Sequence, residues 1–259
     1  MLDNTVKMFG ISIDNLTMEE AIKKIDSIIR NAKPSYIVTP NVDHIVQLQY
    51  DKEFKEIYDN ASMVLADGMP LIWASALLKK KLVERVTGAD LVPEIMKLAE
   101  QKNYRVFILG GDKGVAEKAI EKTLKNTSRP FPMSSYSPPM GFEKDVTELE
   151  KIKKLIKEFQ PDILLVSLGS PKGEKWISNN FKELQIPFSA SIGAAIDFLA
   201  GTKKRAPLWM QKIGLEWFYR FLQEPKRMFK RYFIRDSKFI FLLLRELMKN
   251  KNTKERIIK

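Results

Sequence analysis

The chain of 259 residues contains no cysteine and a single histidine, His44. The missing cysteines exclude thiol nucleophiles, disulfides and cysteine-ligated metals, and one histidine cannot build a histidine-rich metal site. No stretch approaches the ~20 apolar residues that a transmembrane helix needs. Residues 1–4 also lack the basic and apolar pattern of a signal peptide. We therefore expect a cytoplasmic protein.

The excess of positive charge is confined to the end of the chain. The net charge is +12, and residues 202–259 carry 17 Lys and Arg against five Asp and Glu, whereas residues 1–201 are neutral. This asymmetry indicates a polyanionic partner, which is a membrane surface, a diphosphate or a nucleic acid. We predict one domain at residues 1–201 and a basic, amphipathic helical appendage at 202–259.

Short apolar, β-branched runs alternate with amphipathic stretches through the first two hundred residues. The predicted strands are 35–39, 63–66, 105–109, 162–168 and 188–192. The predicted helices are 18–30, 69–80, 91–101, 115–125, 146–159 and 172–184, with three more at 207–222, 225–235 and 237–249. Residues 134–141 are predicted to form a loop. The alternation predicts an α/β fold with a mostly parallel, Rossmann-like sheet flanked by helices.

Polar or glycine-rich turns follow most of the predicted strands, and ligands of open parallel sheets bind outside those strand ends. Asp67 is the first candidate, because a carboxylate at this place can accept a proton from an attacking hydroxyl. The alternative is that Asp67 caps the helix that follows. Thr39 and Asn41 close the preceding strand and could hydrogen-bond a sugar.

Asp43 and His44 suggest part of a catalytic triad, but no G-x-S-x-G elbow accompanies them. A locally bonded helix start is the favoured interpretation of this pair.

Four further residues of the first domain are candidates for binding substrate. Gly110 and Gly111 lie between a strand and a helix, where backbone N–H groups can hold phosphate, although a tight turn explains them nearly as well. Lys172 is either a phosphate ligand or part of a solvated first helical turn. Asp197 lies in an apolar stretch, where a carboxylate is usually bonded to something specific. Its partner is a ligand hydroxyl, such as that of a ribose, or a neighbouring backbone amide.

The appendage combines basic and aromatic side chains on predicted helices. Its candidate substrate-binding cations are Arg220, Arg227 and Arg231, which stand among Trp, Tyr and Phe residues. This mixture is typical of the boundary between lipid headgroups and acyl chains, whereas the alternative is a helical cap whose aromatics pack inward. We expect the inner aromatics to pack and the outer basic face to contact lipid.

Taken together, ordered motifs along nearly the whole chain resemble the WecG/TagA/CpsF glycosyltransferase family. The motifs are Thr39-Pro40-Asn41-Val42-Asp43, Ala66-Asp67-Gly68-Met69-Pro70, Glu84-Arg85-Val86-Thr87-Gly88-Ala89-Asp90-Leu91, Leu109-Gly110-Gly111, Leu168-Gly169-Ser170-Pro171-Lys172, Arg205-Ala206-Pro207, Gly214-Leu215-Glu216-Trp217, Glu224-Pro225, Arg227 and Arg231-Tyr232. Each motif is weak alone, but the ordered series is specific.

The resemblance implies transfer of N-acetylmannosamine from its UDP donor to undecaprenyl-diphosphate-linked N-acetylglucosamine, with inversion, in wall teichoic acid synthesis. Residues 1–201 are then the catalytic domain, with Asp67 as general base and Thr39 and Asn41 orienting the sugars. No Asp-x-Asp motif is present to hold a metal. We therefore expect no metal or cofactor, and expect Arg85, Arg220 and Arg227 to stabilise the leaving UDP.

The expected partners are a UDP-sugar, a lipid-linked sugar acceptor and the anionic inner face of the cell membrane, with no nucleic acid. The appendage is expected to contact that membrane and to close the active site. The resemblance also implies a homo-oligomer, either a dimer or a trimer.

One departure from the family keeps alternatives open. The family usually has glutamine where this chain has Gly173, so the donor could instead be another UDP-sugar, such as N-acetylmannosaminuronic acid or glucose. A protein without catalysis, binding nucleic acid or the membrane through its basic tail, is the alternative from a different class.

Overall fold

The computed structural model describes residues 4–258, and the side chains of residues 4–250. The strands are β1 Thr5–Met8, β2 Ile11–Asp14, β3 Tyr36–Val38, β4 Met63–Val64, β5 Val106–Gly110, β6 Met133–Tyr136, β7 Ile163–Ser167 and β8 Phe188–Ser191. The helices are α1 Met18–Arg30, α2 Val42–Gln47, α3 Lys52–Asp59, α4 Met69–Leu77, α5 Gly88–Lys102, α6 Val115–Lys125, α7 Val146–Phe159, α8 Lys172–Leu184, α9 Ala195–Ala200, α10 Leu208–Lys212, α11 Glu216–Gln223, α12 Pro225–Phe229 and α13 Lys238–Ile258. A 3-10 turn spans Phe142–Lys144, and a π-helical turn spans Lys230–Arg235.

The contacts within the chain group the described residues into two units. One unit comprises residues up to 17, residues 39–87 and those from 205 onward, and the other comprises residues 18–38 and 88–204. These units are defined by contacts alone. The predicted division into a catalytic domain and an appendage at residue 201 concerns function and stays a prediction.

The second unit contains a parallel sheet in the order β3, β8, β7, β5, β6. Every residue of β5 is buried, as are the first four residues of β7. Helices α7 and α8 pack together, and α1, α5, α9 and α6 form a second series of contacts. Central strands buried on both faces are typical of a parallel sheet covered by helices, so the predicted α/β class is confirmed.

The sequence predicted the helices of this unit well because their signals are local. The bounds of α1, α6, α7 and α8 agree with the prediction. In α7, for example, the Asp145 side chain accepts hydrogen bonds from the N–H groups of Thr147 and Glu148. An aspartate in this position satisfies N–H groups that have no partner inside the helix.

The prediction of a loop at 134–141 was wrong for its first half. β6 pairs with β5 in register, with Phe107 opposite Ser134 and Leu109 opposite Tyr136. The two serines give β6 little β propensity of its own, so the strand is stabilised by its hydrogen bonds to β5.

The first unit begins with an antiparallel hairpin that the sequence analysis did not predict. β1 pairs with β2, with Thr5 opposite Asp14, and the turn residues Phe9 and Gly10 both have positive φ. Two such residues match the twist of a tight hairpin. Because Phe9 replaces the usual Asn or Asp, the sequence lacks the ordinary signal for this turn.

The first two predicted helices of the appendage are divided into shorter elements. The helix expected at 207–222 is divided into α10 and α11 at Gly214, whose φ is +78°. A Cβ at Gly214 would lie 2.7 Å from the Trp73 ring, so only glycine fits there. The helix expected at 225–235 is α12 followed by the π-helical turn. The helix predicted at 237–249 is present as α13, which continues beyond the predicted end to Ile258. Within the described residues, none of the helices combines enough length and apolarity to cross a bilayer.

Candidate active site

Asp67 lies in a turn between β4 and α4 and is partly exposed. Its backbone N–H donates to the Pro40 carbonyl oxygen at 2.8 Å. The N-cap of α4 is Gly68, with φ of +110°, and no side chain caps it. The structure therefore gives the capping position to Gly68 rather than Asp67. The backbone bond holds Asp67 beside the turn of Thr39 and Asn41.

Thr39 and Asn41 lie on either side of Pro40 and are both partly exposed. Asn41 is the N-cap of α2, and its side-chain oxygen accepts a hydrogen bond from the His44 N–H at 3.2 Å. The cap uses the amide oxygen of Asn41, while its NH2 group carries two donors suited to sugar hydroxyls. Three of the predicted site residues, Thr39, Asn41 and Asp67, thus share one corner of the first unit.

Arg85 lies at the same corner, because the next residue, Val86, is hydrogen-bonded to the residue before Asp67. The Val86 N–H donates to the Ala66 carbonyl at 3.0 Å, which places Arg85 one residue from the Asp67 turn. The Arg85 side chain is 16% exposed, and its Nη1 lies 3.3 Å from Glu216 Oε2. Arg205 Nε donates to the other oxygen of Glu216 at 2.8 Å.

Glu216 also lies at this corner, although the sequence shows it only as part of one of the family motifs. It lies at the start of α11 and accepts from two arginines that are far apart in the chain. The acidic residue within the motif Gly214-Leu215-Glu216-Trp217 was the only sign in the sequence that Glu216 matters. Nothing in the sequence identified the arginines that it contacts.

The three predicted arginines of the appendage differ in their surroundings. Arg220 lies on α11 and is partly exposed. Arg227 is 61% exposed and pairs with Glu224 at 2.6 Å. Arg231 is less exposed, and its Nε lies 3.4 Å from Asp43 and 3.7 Å from Asp236. Arg227 is thus the more accessible of these two cations, and the substrate contact expected of Arg231 stays a prediction.

His44 is buried, and its Nδ1 lies 2.7 Å from the Tyr58 hydroxyl. Burial lowers its pKa to about 3, with a further contribution from the charges of Arg231 and Arg235. The ring is therefore neutral across the physiological range. The Asn41 cap confirms the predicted local bonding for the His44 backbone, and the His44 ring belongs to the core. For Asp43 the prediction was wrong, because its carboxylate pairs with Arg231 and Arg235 of the appendage.

Gly110 and Gly111 lie in the second unit and form a close-packed turn. Gly110 has a φ of +100°, and a Cβ there would lie 2.5 Å from the Ser167 carbonyl oxygen. The Gly111 N–H donates to the same oxygen at 2.9 Å. These contacts explain both glycines structurally, and a role in phosphate binding stays a prediction.

Lys172 and Asp197 also lie in the second unit, and each forms an ion pair with a neighbouring side chain. Lys172 Nζ donates to Glu143 at 2.6 Å, and this hydrogen bond lowers the pKa of the Glu143 carboxyl. Asp197 accepts a hydrogen bond from the Thr202 hydroxyl at 3.3 Å and lies 3.6 Å from Lys203 Nζ. Both roles in substrate binding stay predictions.

No group of three His, Asp or Glu side chains suited to a metal ion is formed among the described residues.

Comparison with known proteins identifies the family. The model of the Glycosyl transferase WecG/TagA/CpsF family matches residues 6–253. Proteins of Staphylococcus aureus strains MW2, NCTC 8325 and MRSA252 are each 32% identical over 228 residues, which cover 86% of this chain and 87% of theirs. Each is named N-acetylglucosaminyldiphosphoundecaprenol N-acetyl-beta-D-mannosaminyltransferase. A match of this extent shows that the chain belongs to the WecG/TagA/CpsF family of glycosyltransferases.

Proposed function

We propose that the protein transfers N-acetylmannosamine from UDP-N-acetylmannosamine to undecaprenyl-diphosphate-linked N-acetylglucosamine, with inversion at the anomeric carbon. The observation that carries the proposal is the similarity to the staphylococcal transferases over 86% of the chain. The corner that joins Thr39, Asn41, Asp67 and Arg85 supports it. The product is the linkage unit of wall teichoic acid, made at the cytoplasmic face of the membrane.

Asp67 is the general base in this mechanism. Its carboxylate takes the proton of an acceptor hydroxyl as that oxygen attacks the anomeric carbon and the bond from this carbon to UDP breaks. Thr39 and the NH2 group of Asn41 orient the sugars beside it. Asp67 is partly exposed, and its backbone N–H is held by the Pro40 carbonyl oxygen, so its carboxylate projects from a fixed turn.

The leaving UDP carries negative charge that must be stabilised. We propose that Arg85, Arg220 and Arg227 supply this stabilisation without a metal ion. Arg231 is a further candidate ligand from the appendage. Lys172, Asp197 and the turn of Gly110 and Gly111 are proposed to bind the donor.

The appendage is proposed to dock on the anionic membrane. Its exposed apolar side chains include Trp209, Phe229, Phe233, Phe241 and Leu244, and the same segment holds the chain's excess of basic residues. Aromatic side chains enter the interfacial region while Lys and Arg attract anionic headgroups. Self-association as a dimer or trimer stays a prediction.

A second candidate keeps the reaction but changes the UDP-sugar, and Gly173 favours it. A Cβ at this position would lie 2.5 Å from the Ser191 hydroxyl oxygen. Ser191 thus occupies the space that the usual glutamine side chain of the family would enter. The nucleic-acid alternative loses its support, because the chain belongs to a glycosyltransferase family.

The test measures UDP release from UDP-N-acetylmannosamine, with and without the lipid-linked acceptor and with EDTA present. Acceptor-dependent release that survives EDTA supports both the donor and the metal-free mechanism. Release only from UDP-N-acetylmannosaminuronic acid or UDP-glucose supports the second candidate. Release that requires added Mg²⁺ or Mn²⁺ contradicts the metal-free mechanism alone.

A further inference from the structure

A buried ion-pair cluster joins α2 to the C-terminal segment. Asp43 is only 4% exposed, and Arg235 Nη2 donates to its Oδ2 at 2.7 Å. Arg231 Nε lies 3.4 Å from the same oxygen and 3.7 Å from Asp236. We call Asp43, Arg231, Arg235 and Asp236 the Asp43 cluster.

The cluster depends on its charges. Burying a carboxylate is costly unless a cation pairs with it, so Asp43 needs the two arginines. Among the described buried atoms of the cluster, Asp43 Oδ1, Arg231 Nε and Asp236 Oδ1 lack a hydrogen-bond partner. Asp43 Oδ1 instead lies 2.5 Å from Arg235 Nε in an ion pair. The neighbouring His44 stays neutral and bonds to Tyr58. Two acids and two arginines therefore hold the segment mainly by ion pairing.

The position of Asp43 connects this cluster to the candidate active site. Asp43 lies two residues after Asn41, whose side chain caps the same short helix. Pro40 accepts the backbone hydrogen bond of Asp67. On the other side, Arg231 and Arg235 follow Arg227 by one and two helical turns. Asp43 thus lies between the turns that carry the proposed base and the segment that carries a proposed phosphate ligand.

We propose that Asp43 is a positioning residue that contacts no substrate. Through Arg231 and Arg235 it holds the segment carrying Arg227 in a fixed place relative to Asn41 and Asp67. The π-helical turn suits this role, because Arg231 and Arg235 are four residues apart and both reach one carboxylate. The kinetic part of this inference rests on the proposed function, whereas the attachment of the segment does not.

The attachment is tested by hydrogen exchange of the backbone amides of residues 228–245 in the full-length protein. Asp43→Asn and Arg235→Gln are expected to speed exchange there by about tenfold or more, since each removes one side of the pairing. The Arg235 side chain is 46% exposed, so we expect its replacement to disturb folding less, and this variant keeps the test informative if Asp43→Asn does not fold. Asp59→Asn is the matched control, because it removes an exposed acid that pairs with Lys55 within α3. Exchange in Arg235→Gln equal to that of the wild type overturns the inference.

The positioning role is tested with the donor sugar that the wild type uses. Asp43→Asn and Arg235→Gln should lower kcat by about tenfold or more and leave the affinity for UDP, measured by calorimetry, within about threefold. Arg235→Lys keeps the charge and should restore most of the rate. Faster exchange with an unchanged kcat overturns the positioning role. If the wild type turns over no UDP-N-acetylmannosamine, the proposed donor fails, while the exchange result still decides the attachment.

Discussion

Arg85 and Glu216 are 131 positions apart in the chain and meet through a hydrogen bond of 3.3 Å. Glu216 also accepts from Arg205 at 2.8 Å, so one carboxylate contacts two partly buried guanidinium groups. The contact fixes the start of α11, which carries Arg220, next to the turn that carries Arg85. It shows how the appendage reaches the corner that contains Asp67.

Replacing Glu216 by Gln should therefore affect both stability and activity. The variant removes the carboxylate charge that both partly buried arginines contact, at a cost of about 1–3 kcal/mol in the free energy of unfolding. Urea denaturation measures this loss. Glu183→Gln is the control, since it removes an exposed acid paired with two lysines, and should cost less than about 1 kcal/mol. Equal losses in the two variants would contradict a special role for Glu216.

Asp67→Asn should abolish most turnover while leaving the fold intact. Loss of a general base lowers kcat by about 10²–10⁴-fold, and the KM for the donor should change little because the amide keeps the size of the carboxylate. The readout is acceptor-dependent UDP release, with Asp59→Asn as the control. A kcat within threefold of the wild type would falsify the assignment of Asp67 as base.

Arg227→Gln tests whether an accessible cation of the appendage stabilises the leaving group. Removing one such group should lower kcat by about 10²-fold. Lys226→Gln removes the same charge from the adjacent, also exposed position of α12 and should change kcat much less. If both variants lose activity equally, the appendage acts through its net charge and not through Arg227.

The double variant Phe229→Ser, Phe233→Ser should weaken binding to vesicles that contain anionic lipid. The two rings lie 5.1 Å apart and are each more than half exposed, and burying one Phe contributes about 1.5–3 kcal/mol. Vesicle cosedimentation should show about tenfold weaker partitioning or more, whereas the exposed Met140→Ser serves as the control. Binding should also weaken with added salt. Unchanged partitioning of the double variant would place the membrane contact elsewhere.

The carboxyl of Asp236 makes stability depend on pH in an uncommon direction. Burial raises its pKa to about 6, and nearby Asp43 adds to this while Arg231 and Arg235 oppose it. Between the ordinary pKa of an aspartate and about pH 6, the folded state holds a proton that the unfolded state has lost. The stability from this group is therefore fully present below that window and is lost as pH rises through about 6.

Asp236→Asn removes this titration, so the variant should gain stability relative to the wild type as pH rises from 4 to 7. Thermal unfolding at matched ionic strength measures the difference between the two proteins at each pH. A constant difference across this range would show that Asp236 has no raised pKa.

The amino-acid sequence by itself determined the α/β class, the approximate positions of β3, β4, β5, β7 and β8, and the family. Helical and strand periodicities are local, and the turn of Asp67 and Gly68 follows a buried run that is recognisable without any partner. Tertiary structure decided the rest. β6 exists because β5 pairs with it, and the division of α10 from α11 depends on Trp73 packing against Gly214. The pairing of Glu216 with Arg85 and that of Asp43 with Arg235 were likewise hidden, because an ion pair across more than a hundred positions has no local signal. Folding alone brings such groups together, and their burial then makes the pairing necessary.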